Sequence, residues 1–279
     1  MRLLRHIIDA LDLSVYSYVK PGAIHRFSLQ DDDLHRYVRV LTSSIHSYLS
    51  AAELGELVAR GSLSFPSLDI GRLITQSISS SLRWLDRIYT VELHLTLLPS
   101  VTAISYAFAV DKAAPLSTFR KAILNILSSS SVKDSLEVYN IIKDLPVLTP
   151  VISELGITEG YLRVNSMNLY NLYITLGRRL LPIDVLVNKL DIIIGMSNKF
   201  LKTYYETLDY NIASVAAYID GLEKVFDTRI KVDLAKGRTA INELLKIDKD
   251  LKSKGKDFNE MIPLLNISIL LSLCILESN

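Results

Sequence analysis

Cysteine is almost missing. Cys274 is the only one in 279 residues, so no intrachain disulfide forms, and metal sites or redox centres built on paired cysteines are excluded with it. The residue lies in the apolar run Leu264 to Leu276, where a lone thiol reads as a small core side chain and not as a nucleophile. A surplus of one charge sign is missing too. Lys and Arg total 31 against 30 Asp and Glu, a net charge of +1, whereas a general nucleic-acid binder carries a marked basic excess. Any cationic site is therefore local, and no nucleic acid is expected as a partner. Strand signals are scarce, since the runs 63–68 and 228–232 are too short to support a sheet. No period of 20–50 residues recurs, which excludes a solenoid. The chain has no Gly-x-x-x-x-Gly-Lys-Ser/Thr loop, no Gly-x-Gly-x-x-Gly and no His-Glu-x-x-His, so the common nucleotide folds and zinc sites are not indicated.

What is present is apolar. Hydrophobic residues make up 49% and charged residues 22%, and the mean hydropathy is +0.26, the composition of a globular chain on the hydrophobic side. Its length suits one large helical domain or two small ones. Asp9 and Asp12 interrupt the N-terminal apolar residues, so no signal peptide is read and a cytoplasmic location is expected. Leu93 to Val110 runs 18 residues without a formal charge, the lower bound for a membrane span. It contains Pro99 and several hydroxyl residues and lacks basic anchors, so a helix buried on all sides is expected, with no membrane partner. The run Leu264 to Leu276 is too short to span and is broken by Asn266, Ser268 and Ser272.

Helical periodicity runs through nearly all of the chain. Helices are expected at Arg2 to Leu13, then from Leu34 to Leu49 as one long amphipathic segment, from Asp69 to Leu85 and from Val91 to Val110 with a bend at Pro99. Pro115 opens the next one, and Ser131-Val132-Lys133-Asp134 resembles a capping box. Further helices follow at Ser166 to Leu180, Pro182 to Leu208, Tyr210 to Phe226, Asp233 to Lys252 and Asn259 to Glu277. Pro146, Pro150, Gly156 and Gly160 break every candidate between Leu145 and Tyr161, which is read as a long surface loop or an internal boundary. The fold class is all-α: a single multi-helix, bundle-like domain over 1–279. On the second helix His35, Arg39, Thr42 and His46 share one face, most simply a solvated one. Glu92 and His94 stand two residues apart on a helix and point to different sides, so they form no acid–base dyad. His6, on the amphipathic first helix, reads as a surface residue.

The break in this regularity is Tyr18-Val19-Lys20-Pro21-Gly22-Ala23-Ile24-His25-Arg26. Pro21 fixes its own φ and Gly22 permits a positive one, so the first helix must stop there. Lys20, His25 and Arg26 then share one short turn and could converge on an anion, Arg26 through a forked grip and Lys20 as a point charge. The alternative is a plain connector whose polar groups face water. The acidic run Asp31-Asp32-Asp33 likewise has two readings. One is an N-cap with first-turn carboxylates that complement the helix dipole, worth about 1 kcal/mol for the cap; the other is a Mg²⁺ site at Asp31 and Asp32 facing a triphosphate.

With its flanks, Ser14 to Phe27 followed by Asp31-Asp32-Asp33 and a helix ending in Ser43-Ser44-Ile45 resembles the N-terminal signature of the triphosphoribosyl-dephospho-coenzyme A synthase family. That signature reads Lys-Pro-Gly, two residues, a polar residue, Arg, then an acidic residue opening the next helix. Later elements keep the family's order: Gly71 in a helix, Leu97-Leu98-Pro99 in an apolar one, Ser131 to Asp134 with Tyr139 and Ile142 after it, Lys202-Thr203-Tyr204-Tyr205, and Lys254 to Asn259 before a last apolar helix. The resemblance implies an all-helical transferase that takes ATP and dephospho-coenzyme A, joins the two riboses and expels adenine. It implies phosphate binding by Lys20, Gly22 and Arg26, Mg²⁺ as cofactor, and catalytic roles for His25 with a proton and for Asp31 or Asp32 with metal or with the cationic ribose. Three glycine-bearing segments of the family are replaced. Arg87-Ile88-Tyr89-Thr90-Val91-Glu92 stands for Gly-Asn-Thr-x-Leu-Gly, Leu145-Pro146-Val147-Leu148 for Gly-Gly-Leu-Gly, and Asn259-Glu260-Met261-Ile262 for Asn-Pro-Gly-Thr. Bulky side chains there keep backbone amides from a close approach to phosphate. The competing expectation is accordingly a relative that keeps the scaffold without the reaction and binds a nucleotide or a partner protein.

Overall fold

Two stretches rich in Leu, Ile and Val become helices with almost no exposed surface, and each gathers its own neighbours. The structure, a computed structural model, describes residues 2–28, 32–112 and 115–278. The described residues form fifteen α-helices and no strand. The chain divides into two compact units, Met1–Val38 with Asp191–Asn279, and Arg39–Leu190. The internal boundary expected near 145–161 within a single domain over 1–279 falls wholly inside the second unit.

The first unit contains α1 (Arg2–Tyr16), the start of α2 (Asp32–Ser43), α12 (Asp191–Thr207), α13 (Tyr210–Phe226), α14 (Arg238–Ser253) and α15 (Met261–Ser278). Every residue of α15 from Met261 to Cys274 is buried, against α1, α12 and α13. The polar residues that interrupt this run serve helix contacts. The Ser272 and Ser197 hydroxyls lie 2.8 Å apart, Ser268 Oγ donates to Ile193 O at 3.2 Å, and Asn266 Nδ2 donates to Ser14 Oγ at 3.3 Å. Small hydroxyl side chains let the α12 and α15 backbones approach while each buried O–H keeps an acceptor.

The second unit holds α3 (Ile45–Ala59), α4 (Ile70–Ser81), α5 (Ile88–Val110), α6 (Pro115–Ser128), α7 (Val132–Ile142), α8 (Thr149–Glu154), α9 (Glu159–Val164), α10 (Leu169–Leu176) and α11 (Leu181–Asn188). Here α5 is the buried helix, covered by α3, α4, α6 and α11. By length and composition α5 and α15 are both apolar enough to cross a membrane, yet each is mostly buried inside the protein. Pro99 has no N–H and so leaves the carbonyl of Leu95, four residues back, without its helical donor. The Tyr173 hydroxyl supplies the missing donor, reaching Leu95 O at 2.6 Å.

Three element boundaries differ from the periodicity. The expected helix from Leu34 to Leu49 breaks at Ser44, whose hydroxyl donates to Ser77 O at 2.8 Å. The expected loop from Leu145 to Tyr161 contains α8 and the start of α9, because Gly156 at φ +63° turns the chain and Thr158 caps the helix that follows. The expected helix Pro182 to Leu208 is two, with the unit boundary between Leu190 and Asp191.

Candidate functional site

The chain leaving α1 makes a four-residue turn from Lys20 to Ala23, closed by Ala23 N–H donating to Lys20 O at 3.0 Å. Pro21 and Gly22 occupy the positions that a type II turn reserves for a fixed negative φ and a positive one, and Gly22 has φ +78°. A side chain would not fit at Gly22, since an added Cβ would stand 2.5 Å from Phe258 Cδ2.

Most of the polar groups of this turn are taken up by the C-terminal helices of the same unit. The Tyr218 hydroxyl donates to Pro21 O at 2.8 Å, and Gly22 N–H donates to Asp248 Oδ1 at 2.8 Å. Gly22 O accepts from Phe258 N–H at 2.7 Å, and Ile24 N–H donates to Asn259 Oδ1 at 2.8 Å. The turn is thus tied to α13, to α14 and to the loop between α14 and α15.

His25 is buried, and its tautomer is set by its neighbours. Phe27 N–H donates to Nδ1 at 3.1 Å, so Nε2 carries the hydrogen and donates to Asp248 Oδ2 at 3.2 Å. Burial lowers the imidazole pKa against the hydrogen bond and charge of Asp248, which favour the cation. For Asp248, burial pushes the carboxyl upward, but the His25 hydrogen bond, the Gly22 amide and Lys252 together hold it below its ordinary value. Lys252 Nζ sits 3.1 Å from Asp248 Oδ2.

The residues expected to grip phosphate do not converge on one surface. Lys20 is 0% exposed; its ammonium donates to Ser17 Oγ at 2.9 Å and lies 3.4 Å from Val15 O. Burial, with the nearby Arg26 charge adding to it, lowers its pKa to about 7. Arg26 stays at the surface, where Nε donates to Tyr16 O at 2.7 Å and a terminal nitrogen to Asn211 Oδ1 at 3.2 Å. Gly22 lines a cleft of about 290 Å³ together with Ala23, Ile24, Lys252, Gly255, Lys256, Asp257 and Asn259. The cations at that cleft are Lys252 and Lys256, which the sequence reading did not select. Lys256 stood only in the segment before the last helix, and Lys252 and Asp248 are hidden among the alternating charges of α14, where nothing marks Asp248 as the one that goes inside.

Of the acidic run, Asp31 lies outside the described residues. Asp32 and Asp33 form the first turn of α2; Asp33 pairs with Arg36, while Asp32 is exposed and pairs with no described residue. In the second unit, Asp69, Asp134 and Glu137 bring carboxylate oxygens within 4.8 Å of one another. Both Asp134 oxygens are already engaged, with Gly71 N–H at 2.9 Å and with Ser131 N–H and Oγ at 2.8 and 2.6 Å. Lys133 bridges Asp69 and Glu137, so the trio fits a helix cap with an ion-pair network better than a metal centre.

His94 forms no dyad with Glu92. Nε2 lies 2.8 Å from Ser81 Oγ, which itself donates to Ser77 O, and Nδ1 lies 2.8 Å from both the Tyr48 and Ser77 hydroxyls. The tautomer that fits carries its hydrogen on Nε2. Burial lowers the His94 pKa to about 3, so the ring is a neutral structural hub.

A solved structure shares the fold. A chain from Archaeoglobus fulgidus, whose crystal structure carries the provisional name triphosphoribosyl-dephospho-coA synthase, superimposes with a TM-score of 0.52 over 82% of this chain and 98% of that one, at 20% identity. This likeness establishes a shared all-α fold. No protein-family model matches the chain, and no curated protein matches it.

Proposed function

We propose that the protein is a divergent transferase of the triphosphoribosyl-dephospho-coenzyme A synthase kind, holding a phosphorylated nucleotide where the Gly22–Ile24 turn faces Lys252 and Lys256. The observation that carries this reading is the placement of two lysines across a small cleft from the Pro21–Gly22 bend, with one of them anchored by a carboxylate that also holds the bend. A lysine there offers a charge to phosphate oxygens, and Asp248 with His25 behind it fixes where that charge sits. His25 and Asp248 are positioning residues in this scheme, and Lys20 supports the turn from inside. The substrates are ATP and dephospho-coenzyme A or a chemically similar pair, with a ribose hydroxyl of one displacing adenine from the other. Such a displacement develops positive charge on the ribose, and Asp257, which lines the cleft, supplies a carboxylate to offset it. Asp32, exposed in the first turn of α2, carries the kind of oxygen ligand that Mg²⁺ takes beside phosphates.

A second reading is favoured by a different observation. The segment Arg87 to Glu92, which stands where the family has Gly-Asn-Thr-x-Leu-Gly, builds the opening turns of α5, and Tyr89, Thr90 and Glu92 are buried in them. A glycine-lined approach to phosphate is absent there, as expected of a relative that binds nucleotide or a partner protein without turning substrate over.

Two measurements separate the readings: the shift in melting temperature caused by ATP, and adenine release from ATP plus dephospho-coenzyme A. A ligand that binds only the native state raises its melting temperature. The wild type should be stabilised by ATP, and Lys252→Ala with Lys256→Ala should reduce affinity about tenfold or more, given about 1.5–3 kcal/mol per charged hydrogen bond. An undiminished ATP shift in the double variant removes this cleft from the site. Binding without adenine release selects the second reading.

A further inference from the structure

The only tryptophan of the chain, Trp84, ends the short turn Leu82–Trp84 that follows α4 in the second unit. Two arginines of the same unit share its ring. The Arg39 guanidinium carbon lies 4.4 Å from the ring centroid and that of Arg83 lies 5.8 Å from it. Arg39 belongs to the α2 face expected to be merely solvated; both arginines are exposed and the ring is half-buried. Each guanidinium is attracted to the indole, but the two cations repel each other, and no carboxylate offsets that. Neither side chain makes a hydrogen bond or an ion pair with any described residue. Elsewhere in the unit Arg60, Arg72, Arg163 and Arg179 each reach a carboxylate. Asp86, two residues beyond Trp84, is already engaged.

Attraction to an aromatic ring leaves the N–H groups of a guanidinium free, and these are the groups that hold a carboxylate in a fork. We infer that Arg39, Trp84 and Arg83 form the docking surface for an acidic segment of a partner protein, with carboxylates meeting the two arginines and an apolar side chain covering the exposed part of the ring. Tryptophan and arginine are the residue types enriched where binding energy concentrates between proteins, and Leu82, 48% exposed in the same turn, adds apolar surface. Charge selects the class of occupant. Two cations without a counter-ion call for negative charge, and the indole beside them suits a peptide that carries apolar as well as acidic side chains. A bare phosphate has nothing to place on the ring, and a nucleic acid finds no basic excess on a chain of net charge +1. The inference holds whether the cleft at Lys252 and Lys256 turns substrate over or only binds it.

Trp84 reports on its own surface, because no other tryptophan contributes to the emission. The full chain is titrated with the end-blocked peptide Glu-Glu-Leu-Glu-Glu, with Gln-Gln-Leu-Gln-Gln, inorganic phosphate and a short oligothymidylate as separate arms. The acidic peptide should change the emission saturably with a Kd of about 1 mM or below, bind more tightly than every other arm, and weaken as salt screens the charges. Arg39→Gln and Arg83→Gln should each reduce its affinity about threefold and the double variant about tenfold, whereas Lys121→Gln, a change at an exposed site on α6, should not alter it. These variants replace exposed side chains without adding bulk; circular dichroism confirms that they fold, and calorimetry repeats the affinities without relying on the ring. The inference is overturned by absence of a saturable response up to about 10 mM, by equal affinity for the glutamine peptide, by affinity unchanged in the arginine double variant, or by tighter binding of phosphate or of the oligonucleotide.

Discussion

The two units solve the same packing problem with different polar chemistry. Each buries one apolar helix, α15 or α5, and each uses a carboxylate to take the amide of a glycine: Asp248 holds Gly22 at 2.8 Å, and Asp134 holds Gly71 at 2.9 Å. In the first unit the other oxygen of that carboxylate goes to His25 and Lys252, a chain that ends at an exposed cation beside a cleft. In the second it goes to the Ser131 amide and hydroxyl, and the network ends as a helix cap. A similar local device thus supports a candidate site in one unit and only a helix start in the other. Whether a carboxylate serves binding is decided by what its second oxygen meets.

Each unit also buries a group whose folded pKa lies far from its free value, His94 in one and Lys20 in the other, and the two act on opposite sides of neutral pH. The largest expected effect is in acid. His94 has a folded pKa near 3 against 6.5 for the free side chain, so between those values the unfolded chain binds a proton that the folded one refuses. Stability is fully present above pH 6.5 and falls by about 4 kcal/mol on going to pH 3.5, at about 1.4 kcal/mol per unit. His94→Gln should be less stable at pH 7 but show a flatter acid limb in urea titrations; an unchanged limb would show that other groups set the acid response. The next effect is alkaline and belongs to the first unit. Lys20 has a folded pKa of about 7 against 10.5, so the unfolded state again holds the extra proton, now between pH 7 and 10.5. Stability should rise by about 2 kcal/mol from pH 7 to 9, before the unfolded-state ionisation of Tyr37, Tyr173 and Tyr218, whose folded pKa values burial raises, reverses it. Lys20→Met should abolish the rise; a variant that keeps it would show that Lys20 is not its source.

Much of this architecture is legible in the residues, and the parts that are not have physical reasons. The apolar helix containing Pro99, the stop at Pro21–Gly22 and the cap at Ser131 follow from local rules of period, φ restriction and side-chain hydrogen bonding. The break at Ser44 does not, because it depends on a partner carbonyl 33 residues away. In 145–161 the expected breakers fall at helix ends: Pro150 sits in the first turn of α8, where its missing N–H has no helical acceptor to serve, and Gly156 lies between α8 and α9, which Thr158 caps. At the candidate site, composition locates the turn but not its cations. A lysine next to Pro21 faces solvent or the core according to tertiary packing alone, and here Ser17 and the surrounding helices take it inside. Lys252 is one of many charges on α14, and only the structure shows that Asp248, one turn before it, is the buried partner.

The smallest expected effect tests the opening contrast directly. Asn in place of either carboxylate keeps an oxygen for the glycine amide but turns an NH₂ group toward the partners of the second oxygen. At Asp248 those partners are the Nε2–H of His25, fixed by the Phe27 amide, and the Lys252 ammonium, so donors face donors without an easy rearrangement. Asp248→Asn should cost about 2 kcal/mol. At Asp134 the Ser131 hydroxyl can turn its lone pairs to the new NH₂ and only the Ser131 amide is left facing a donor, so Asp134→Asn should cost about 1 kcal/mol, the lower end for a lost cap. Urea titrations of both variants at pH 7 measure the difference. Equal costs would mean that the two glycine-holding carboxylates are interchangeable supports, and that the His25–Asp248–Lys252 chain has no rigidity of its own to offer a ligand.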